Sequence, residues 1–519
     1  MVPTPRPSNG QLNLQFLEAA EYSVEPGSSV ELGNADYHAF AFVTRGSVHV
    51  RLPQQAHTLT AKISYGELVY LPDHTILTLQ NADKQTAQLI VIRFTAEGRP
   101  ASSVQAWFGQ RAARTLQRIR MPRVYGWVQE LVNESKDRPS GPFLIQSYLY
   151  AMMAEMTDAA ASPKADNELI DYVIQVKNSM LEQYQADLDM EELARLSGAS
   201  KARFYELFRT YTGLSPLKFI TTVRLKESLR LLSSQALTVT EAAHAVGYAD
   251  ELYFSRLFKK HFGISPTEFV TAAKLRIACL TPVFTGDFSA LGITPVVTLP
   301  RGWAEGDRSE AYMRSIEQCS PQQIYTSPIP EDLQRRLAEL APVIVMEWKG
   351  YPWKERLRDI SRGVGLSVLM ERWLDYFHKK VDNARSLTLK RLGGEPFLVV
   401  SVYPSLYRVY GMQRRKIQDL FYGDLGVTPP AALTDISFLD TPSLETIAEL
   451  DCSRVIFLLP QSAPDDEWMR LEKEWHQVQR KQPAKPCMFL RHEDPLLYNA
   501  SFYDSLVDAY VDALMSYRL

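Results

Sequence analysis

One stretch of this chain occurs twice. Residues 192–220 read ELARLSGASKARFYELFRTYTGLSPLKFI, and residues 242–270 read AAHAVGYADELYFSRLFKKHFGISPTEFV. At a constant offset of 50, Phe204 matches Phe254, Leu207 matches Leu257 and Phe208 matches Phe258. Gly213, Ser215–Pro216 and Phe219 likewise match Gly263, Ser265–Pro266 and Phe269. A repeat of this kind means one supersecondary unit built twice. Each copy has the parts of a helix-turn-helix. In the first, a short helix Met190–Leu196 leads into the turn Ser197-Gly198-Ala199, and Ser200 offers a capping oxygen to the next helix. In the second, Val239–Val246, Gly247 and Asp250 take those places. The second helix of each copy buries Phe204, Leu207 and Phe208, or Phe254, Leu257 and Phe258, at i, i+3, i+4 spacing. Its other face is left for solvent or DNA.

That outer face is where positive charge collects. Lys201, Arg203 and Arg209 stand against Glu206 in the first helix, and Arg256, Lys259 and Lys260 against Glu251 in the second. Residues 166–276 as a block are neutral, with 14 Lys and Arg against 14 Asp and Glu, and the chain carries a net charge of −3. Neither figure argues against DNA, because binding depends on where the charge sits.

The string from Ala194 through Phe219, the linking helix VRLKESLRLL (223–232), the string AVGYADELYFSRLFKKHFGISPTEF and the helix that closes it resemble the AraC/XylS family of transcriptional regulators. The resemblance covers residues 166–276. It implies two recognition helices in successive major grooves on one face of the duplex, about one helical turn (~34 Å) apart. On that reading Ala202, Arg203, Tyr205 and Glu206 face bases in one groove, next to Ser200 at the helix start. Leu252, Tyr253, Ser255 and Arg256 do so in the other, with Arg256 the residue suited to bidentate guanine readout. Lys201, Arg209, Lys259 and Lys260 are expected on phosphates. The alternative for each is a solvated surface residue. Expected partners are double-stranded promoter DNA, RNA polymerase and a second copy in a homodimer.

Upstream, from Leu12 to about Thr95, short alternating runs (HAFAFVTRG, SVHVRL, GELVYLP, ILTLQNADK, AQLIVIRF) argue for a small antiparallel barrel or sandwich. From about Val104 to Thr157 helical patterns such as YGWVQELVNES and FLIQSYLYAMMAEM follow, and AASPKADN (160–167) reads as a linker. The block resembles the cupin-like arm that precedes many AraC-type modules. His38, His49, His57 and His74 lack the HxH…E spacing of metal cupins, so no metal or cofactor is implied and each His is expected on the surface or a barrel rim. The block is read as a small-molecule sensor or as a scaffold and dimer interface.

Downstream of Arg276, strand-like runs (PVIVMEW, FLVVSVYP, RVIFLLP, PCMFL) alternate with amphipathic helices, implying an α/β domain with a parallel sheet. A proline-free stretch from Leu366 to Leu392 reads as one long helix able to join two lobes. This block resembles periplasmic binding proteins for iron–siderophore and vitamin B12 complexes, in the opening strand and turn PVFTGDFSALGITPV, in VIVMEWKGYPWKERLRDISRGVGL and its long helix, in YRVYGMQRRKIQDLFYGDLGV, and in FLRHEDPLLYNASFYDSLVDAYVDAL. The implied ligand is a ferric siderophore. A ferric tris-catecholate carries about −3 charge on flat aromatic faces and calls for arginines, lysines and aromatics. The residues offered are Lys349 and Trp353 in the first lobe and Arg408, Arg414, Arg415 and Arg491 in the second. The fold class expected is therefore multidomain: a cupin-like β barrel (1–160), an all-α tandem helix-turn-helix domain (166–276) and a two-lobed α/β binding-protein fold joined by a long helix (278–519).

The four cysteines, Cys279, Cys319, Cys452 and Cys487, form no CxxC pair, which points to a reducing compartment. The polar, proline-containing start MVPTPRPSNGQLNLQ lacks the pattern of a signal peptide, and no run approaches a membrane span, so a cytoplasmic location is expected. No GxSxG elbow, GxGxxG loop or metal-ligand cluster supports an enzyme. Two alternatives to a siderophore-gated activator stay open. One is a constitutive DNA binder whose C-terminal domain is a dimerisation scaffold or binds heme or cobalamin. The other is a siderophore-processing enzyme.

Overall fold

The computed structural model describes residues 13–34, 37–53, 58–73, 75–97, 117–133, 141–161, 168–234, 237–305, 308–413, 415–479, 485–493 and 495–516. Its contacts divide the chain into two units. The first comprises 1–183 and 188–207, the second 184–187 and 208–519. The division runs through the second helix of the first repeat, Lys201–Thr212.

The first unit opens with two antiparallel sheets. One has the order β1(Asn13–Val24), β8(Ala87–Glu97), β3(His38–Arg45), β6(Leu68–Leu71), β9(Arg118–Ile119), and the other β2(Ser29–Asn34), β7(Thr75–Gln80), β4(Ser47–Pro53), β5(Thr58–Ser64). The alternating apolar residues of β3, β4, β6 and β8 meet in one core with Leu32 and Leu79. A left-handed Gly46 (φ 74°) reverses the chain between β3 and β4, where a Cβ would press on Ala87. The far face of β3 and β8, with Phe40, Phe42 and Phe94, is also buried. His38 lies on that face, not at the surface. It is buried, with its Nδ1 2.8 Å from the Tyr70 hydroxyl and accepting from the Asp73 amide at 3.2 Å. His57 and His74 lie outside the described residues. The helices Pro122–Asn133 and Gly141–Ala161 follow, the second tied to β1 where the Tyr150 hydroxyl accepts from the Leu14 amide at 3.0 Å. The strand at Arg118–Ile119 departs from the helical pattern expected there; it adds to the edge of β6.

The second unit holds two sheets. β11(Val297–Thr298), β10(Ile277–Cys279), β12(Gln323–Thr326) and β13(Val343–Val345) are wholly parallel. β14(Phe397–Tyr403), β17(Arg454–Pro460) and β18(Cys487–His492) are parallel too, but β15(Leu406–Tyr410) returns antiparallel beside β14 and pairs with β16(Phe438–Thr441). The parallel expectation therefore holds for one sheet and three strands of the other. The opening segment PVFTGDFSA is a helix, Pro282–Ala290, and the strand before it is Ile277–Cys279. Pro282 sits at the helix start, and Phe284 and Phe288 fall one turn apart on its buried side, a helical period. The long helix spans Ser367–Leu392, about 39 Å at 1.5 Å per residue. The last helix, Ala500–Ser516, packs against it and against Pro282–Ala290. There the buried Arg356 donates to Asp287 at 2.6 Å and to the Tyr498 carbonyl at 2.5 Å, while Asp287 accepts from the Ala500 amide.

Candidate nucleic-acid interface and effector site

Local chemistry builds each helix-turn-helix. Asp189 caps Met190–Leu196 by accepting from the amides of Glu191 and Glu192. Ser200 accepts from the Arg203 amide at 3.3 Å and so caps Lys201–Thr212. In the second copy Thr238 and Glu241 form a capping box on Val239–Ala245, and the Thr238 amide holds the Glu241 carboxyl below its usual range. Asp250 caps Glu251–Phe262 through the amides of Leu252 and Tyr253. The turn at Gly247 demands glycine twice over. Its φ is 87°, and a Cβ would come within 2.6 Å of the Gln185 carbonyl oxygen.

Phe204, Phe208, Phe254 and Phe258 are fully buried, whereas Leu207 and Leu257 are only half-buried. The outer face of Glu251–Phe262, the second helix of the second motif, is open: Leu252 is 67% exposed, Tyr253 52%, and Arg256, Lys259 and Lys260 are exposed, with Ser255 half-buried. None of those three cations has an ion pair among the described residues. The second helix of the first motif differs. Ser200, Ala202, Glu206 and Arg209 are exposed and Tyr205 half-buried, but Lys201 is paired with Glu191 of the preceding helix and Arg203 with Glu206 at 3.0 Å. The Lys201–Glu191 pair joins residues ten apart across a turn, a contact that helical periodicity could not reveal.

Sequence reasoning also missed what holds the two copies. In the first unit, Arg195 stacks 4.2 Å from the Tyr65 ring centre and Glu192 accepts from the Tyr65 hydroxyl. In the second, Arg224 of the linking helix Pro216–Ser233 donates to the carbonyls of Tyr184 (2.6 Å), Ala186 (2.8 Å) and Gly247 (3.2 Å). One guanidinium thereby clamps the turn of the second motif.

The expected effector residues do not form one cluster. Lys349 is exposed, and its ammonium lies 5.7 Å from the Trp348 ring centre. Arg301, which sequence reading passed over, flanks the same ring at 5.6 Å. The two follow β13 and β11, at the carboxyl end of a parallel sheet, where open α/β sheets bind ligands. Trp353 must be corrected. It is 1% exposed and packs edge-on against Trp373, Phe377 and Tyr503, so its indole is core. Arg408 is neutralised by a bidentate pair with Asp440, both bonds 2.7 Å, directly across β15 and β16. Arg491 is exposed on β18 opposite Leu459, so it points to the sheet face away from Arg408, whose cross-strand partner Ser401 aligns with Leu458. Arg415 is exposed at the start of the short helix Arg415–Ile417, and Arg414 lies outside the described residues.

Two capped helix-turn-helix units at a fixed repeat, with exposed faces on their second helices, mark a DNA-binding protein, and the chain carries a helix-turn-helix domain. Residues 193–272 match the family described as Helix-turn-helix domain. Over 402 residues the chain is 23% identical to the HTH-type transcriptional activator Btr of Bacillus subtilis, covering 71% of this chain and 72% of that protein. It is 35% identical to the Msm operon regulatory protein of Streptococcus mutans over 100 residues, 19% of this chain and 34% of that one. Among solved structures, a FhuD-fold periplasmic binding protein component of a ferrichrome-type ABC transporter from Bacillus subtilis aligns with 47% of this chain and 95% of its own, at 17% identity and TM-score 0.38. The curated relatives are regulators, in keeping with a role other than catalysis. Among the described residues no helix is long and apolar enough to cross a membrane.

Proposed function

We propose that this protein is a cytoplasmic, sequence-specific transcriptional activator of iron–siderophore uptake genes, gated by a ferric siderophore. The carrying observation is the open face of Glu251–Phe262, where Arg256 reads a guanine, Leu252, Tyr253 and Ser255 meet neighbouring bases, and Lys259 and Lys260 take phosphates. Ser200, Lys201, Ala202, Arg203, Tyr205, Glu206 and Arg209 form the corresponding surface of the first motif. The likeness to an activator over 402 residues supports the direction of regulation. In this reading residues 1–160 are a cupin-like arm, 166–276 the DNA-binding domain, and 278–519 the effector domain. Lys349 and Arg301 about Trp348 are the residues offered to the anionic ligand. The bound protein recruits RNA polymerase, as a homodimer.

A second reading is favoured by the bidentate Arg408–Asp440 pair and the burial of Trp353, which leave fewer cations and rings for a ligand. It makes the C-terminal domain a scaffold for a constitutive DNA binder. Calorimetric titration of the full chain with ferric tris-catecholate, ferric hydroxamate, heme and cobalamin separates the two. Binding of a ferric complex that also tightens DNA binding is expected; silence with all four leaves the scaffold.

A further inference from the structure

The last helix carries aspartates at 504, 508 and 512, one turn apart, and all three are engaged. Asp504 accepts from Lys226 of the linking helix at 2.9 Å and from Lys380 of the long helix at 2.7 Å. Lys380 also pairs with Asp508 at 2.7 Å and donates to the Asp504 carbonyl. Asp512 accepts from the hydroxyl of Tyr211 at 2.6 Å. The long helix adds a parallel row. Tyr376 lies under the Lys226 ammonium, its ring centre 4.5 Å away, and Asn383 donates to the Thr210 carbonyl at 3.1 Å. All these residues belong to the second unit. The packing around them is close. A Cβ on Gly292 would meet Leu229 of the linking helix at 2.8 Å and Phe269 at 3.1 Å, and one on Gly263 would meet Val368 of the long helix at 2.5 Å.

We propose that Asp504, alone of the acidic row in touching the linking helix, seats that helix on the last one, and that it is a positioning residue for DNA reading by the second motif. The inference rests on the assignment of Glu251–Phe262 as a reading helix. Asp504 touches no DNA. It balances two ammonium groups held at the junction of three helices, and without its charge Lys226 and Lys380 face one another with one carboxylate fewer between them. Lys380, only 9% exposed, is then left with Asp508 alone against the Lys226 ammonium, and the linking helix is expected to shift away from it. His261, at the far end of the reading helix, feels the same ammonium: burial and then Lys226 depress its imidazole to about 4. A shift of Lys226 therefore reaches the reading helix itself.

The test uses the full-length protein and a duplex selected by it from a random-sequence pool, with hydroxyl-radical footprinting. Arg256→Ala first identifies which half of the footprint the second motif protects. Asp504→Asn is expected to weaken protection of that half about tenfold or more, to leave the other half protected, and to be rescued in part by Asp504→Glu. Loss spread evenly over both halves, or no loss, overturns the proposal while the Arg256→Ala result still stands for the reading helix. If Arg256→Ala changes neither half, the reading-helix assignment fails and the proposal falls with it. Should Asp504→Asn not fold, Lys226→Met decides, since it leaves Asp504 paired with Lys380. A smaller loss confined to the same half supports the proposal, and an unchanged footprint refutes it.

Discussion

At the scale of single residues, the clearest titration belongs to His261. Burial, and then the neighbouring Lys226, lower its imidazole from 6.5 to about 4, so the native state favours the neutral ring. A lowered folded value means stability that is present above about pH 6.5 and is lost as the pH falls towards 4, because the unfolded chain takes up the proton first. The loss over that window is on the order of 2 kcal/mol after allowance for partial solvent access. Thermal denaturation of His261→Gln should show a smaller fall in midpoint between pH 7 and pH 4.5 than the parent protein. Identical falls would remove His261 from the account. Residues of this kind are hard to read from sequence. Phe254 and Phe258 announce their burial by spacing, but nothing in the string RLFKKHFG distinguishes His261, tucked beside Lys226, from the exposed Lys259 and Lys260.

Between elements, the second helices of the two motifs differ in a way that their matching sequences conceal. Lys201 and Arg203 each spend their charge in a salt bridge, whereas Arg256, Lys259 and Lys260 form none among the described residues, Lys259 acting only at longer range on Glu268. Counterion release follows the phosphates that are neutralised. The slope of log K against log salt should therefore flatten by about 2 in the double variant Lys259→Ala/Lys260→Ala, about one for each phosphate no longer neutralised. Lys201→Ala should change it by well under about 1, because Lys201 is already neutralised by Glu191 and neutralises no phosphate. Equal changes for both would show that the ion pairs of the first helix dissolve on DNA. At this scale most of the architecture was legible: the helix starts at Met190 and Lys201, the caps Ser200 and Asp250, and the long helix beginning one residue after Leu366 all follow from local chemistry. The failures share a cause. β9 and the helix at Pro282 are short segments whose state is decided by what they pack against, and the positions of Trp353 and Arg408 depend on neighbours up to 150 residues away.

At the scale of the whole molecule, the second motif is part of a larger body that includes both α/β sheets. Arg224, Lys226 and Leu229 on one helix reach the turn at Gly247, the last helix and Gly292 respectively. Elements joined by so many partly buried interactions should open together. In denaturant-dependent hydrogen exchange, amides of Pro216–Ser233 and Glu251–Phe262 are expected to exchange with the same free energy and the same denaturant slope as those of Ser367–Leu392. Exchange of 216–262 through a separate, cheaper opening would show that the motif is an independent module. In the first motif only the first helix meets the β sandwich of its own unit, through Arg195 and Glu192 at Tyr65, while Thr210 and Tyr211 at the end of its second helix bond to Asn383 and Asp512.

The seat of the linking helix also bears on how such regulators can be recombined. A chimera joined near residue 277, where the repeat ends and the α/β fold begins, looks natural in one dimension. It would present Lys226, Leu229 and Phe269 to a foreign surface with no aspartate row and no glycine at the crossing. A breakpoint at residues 207 and 208 keeps those partners on one side of the seam. Gene fusions that preserve function should therefore carry the second motif and the α/β sheets that follow it as a single heritable cassette.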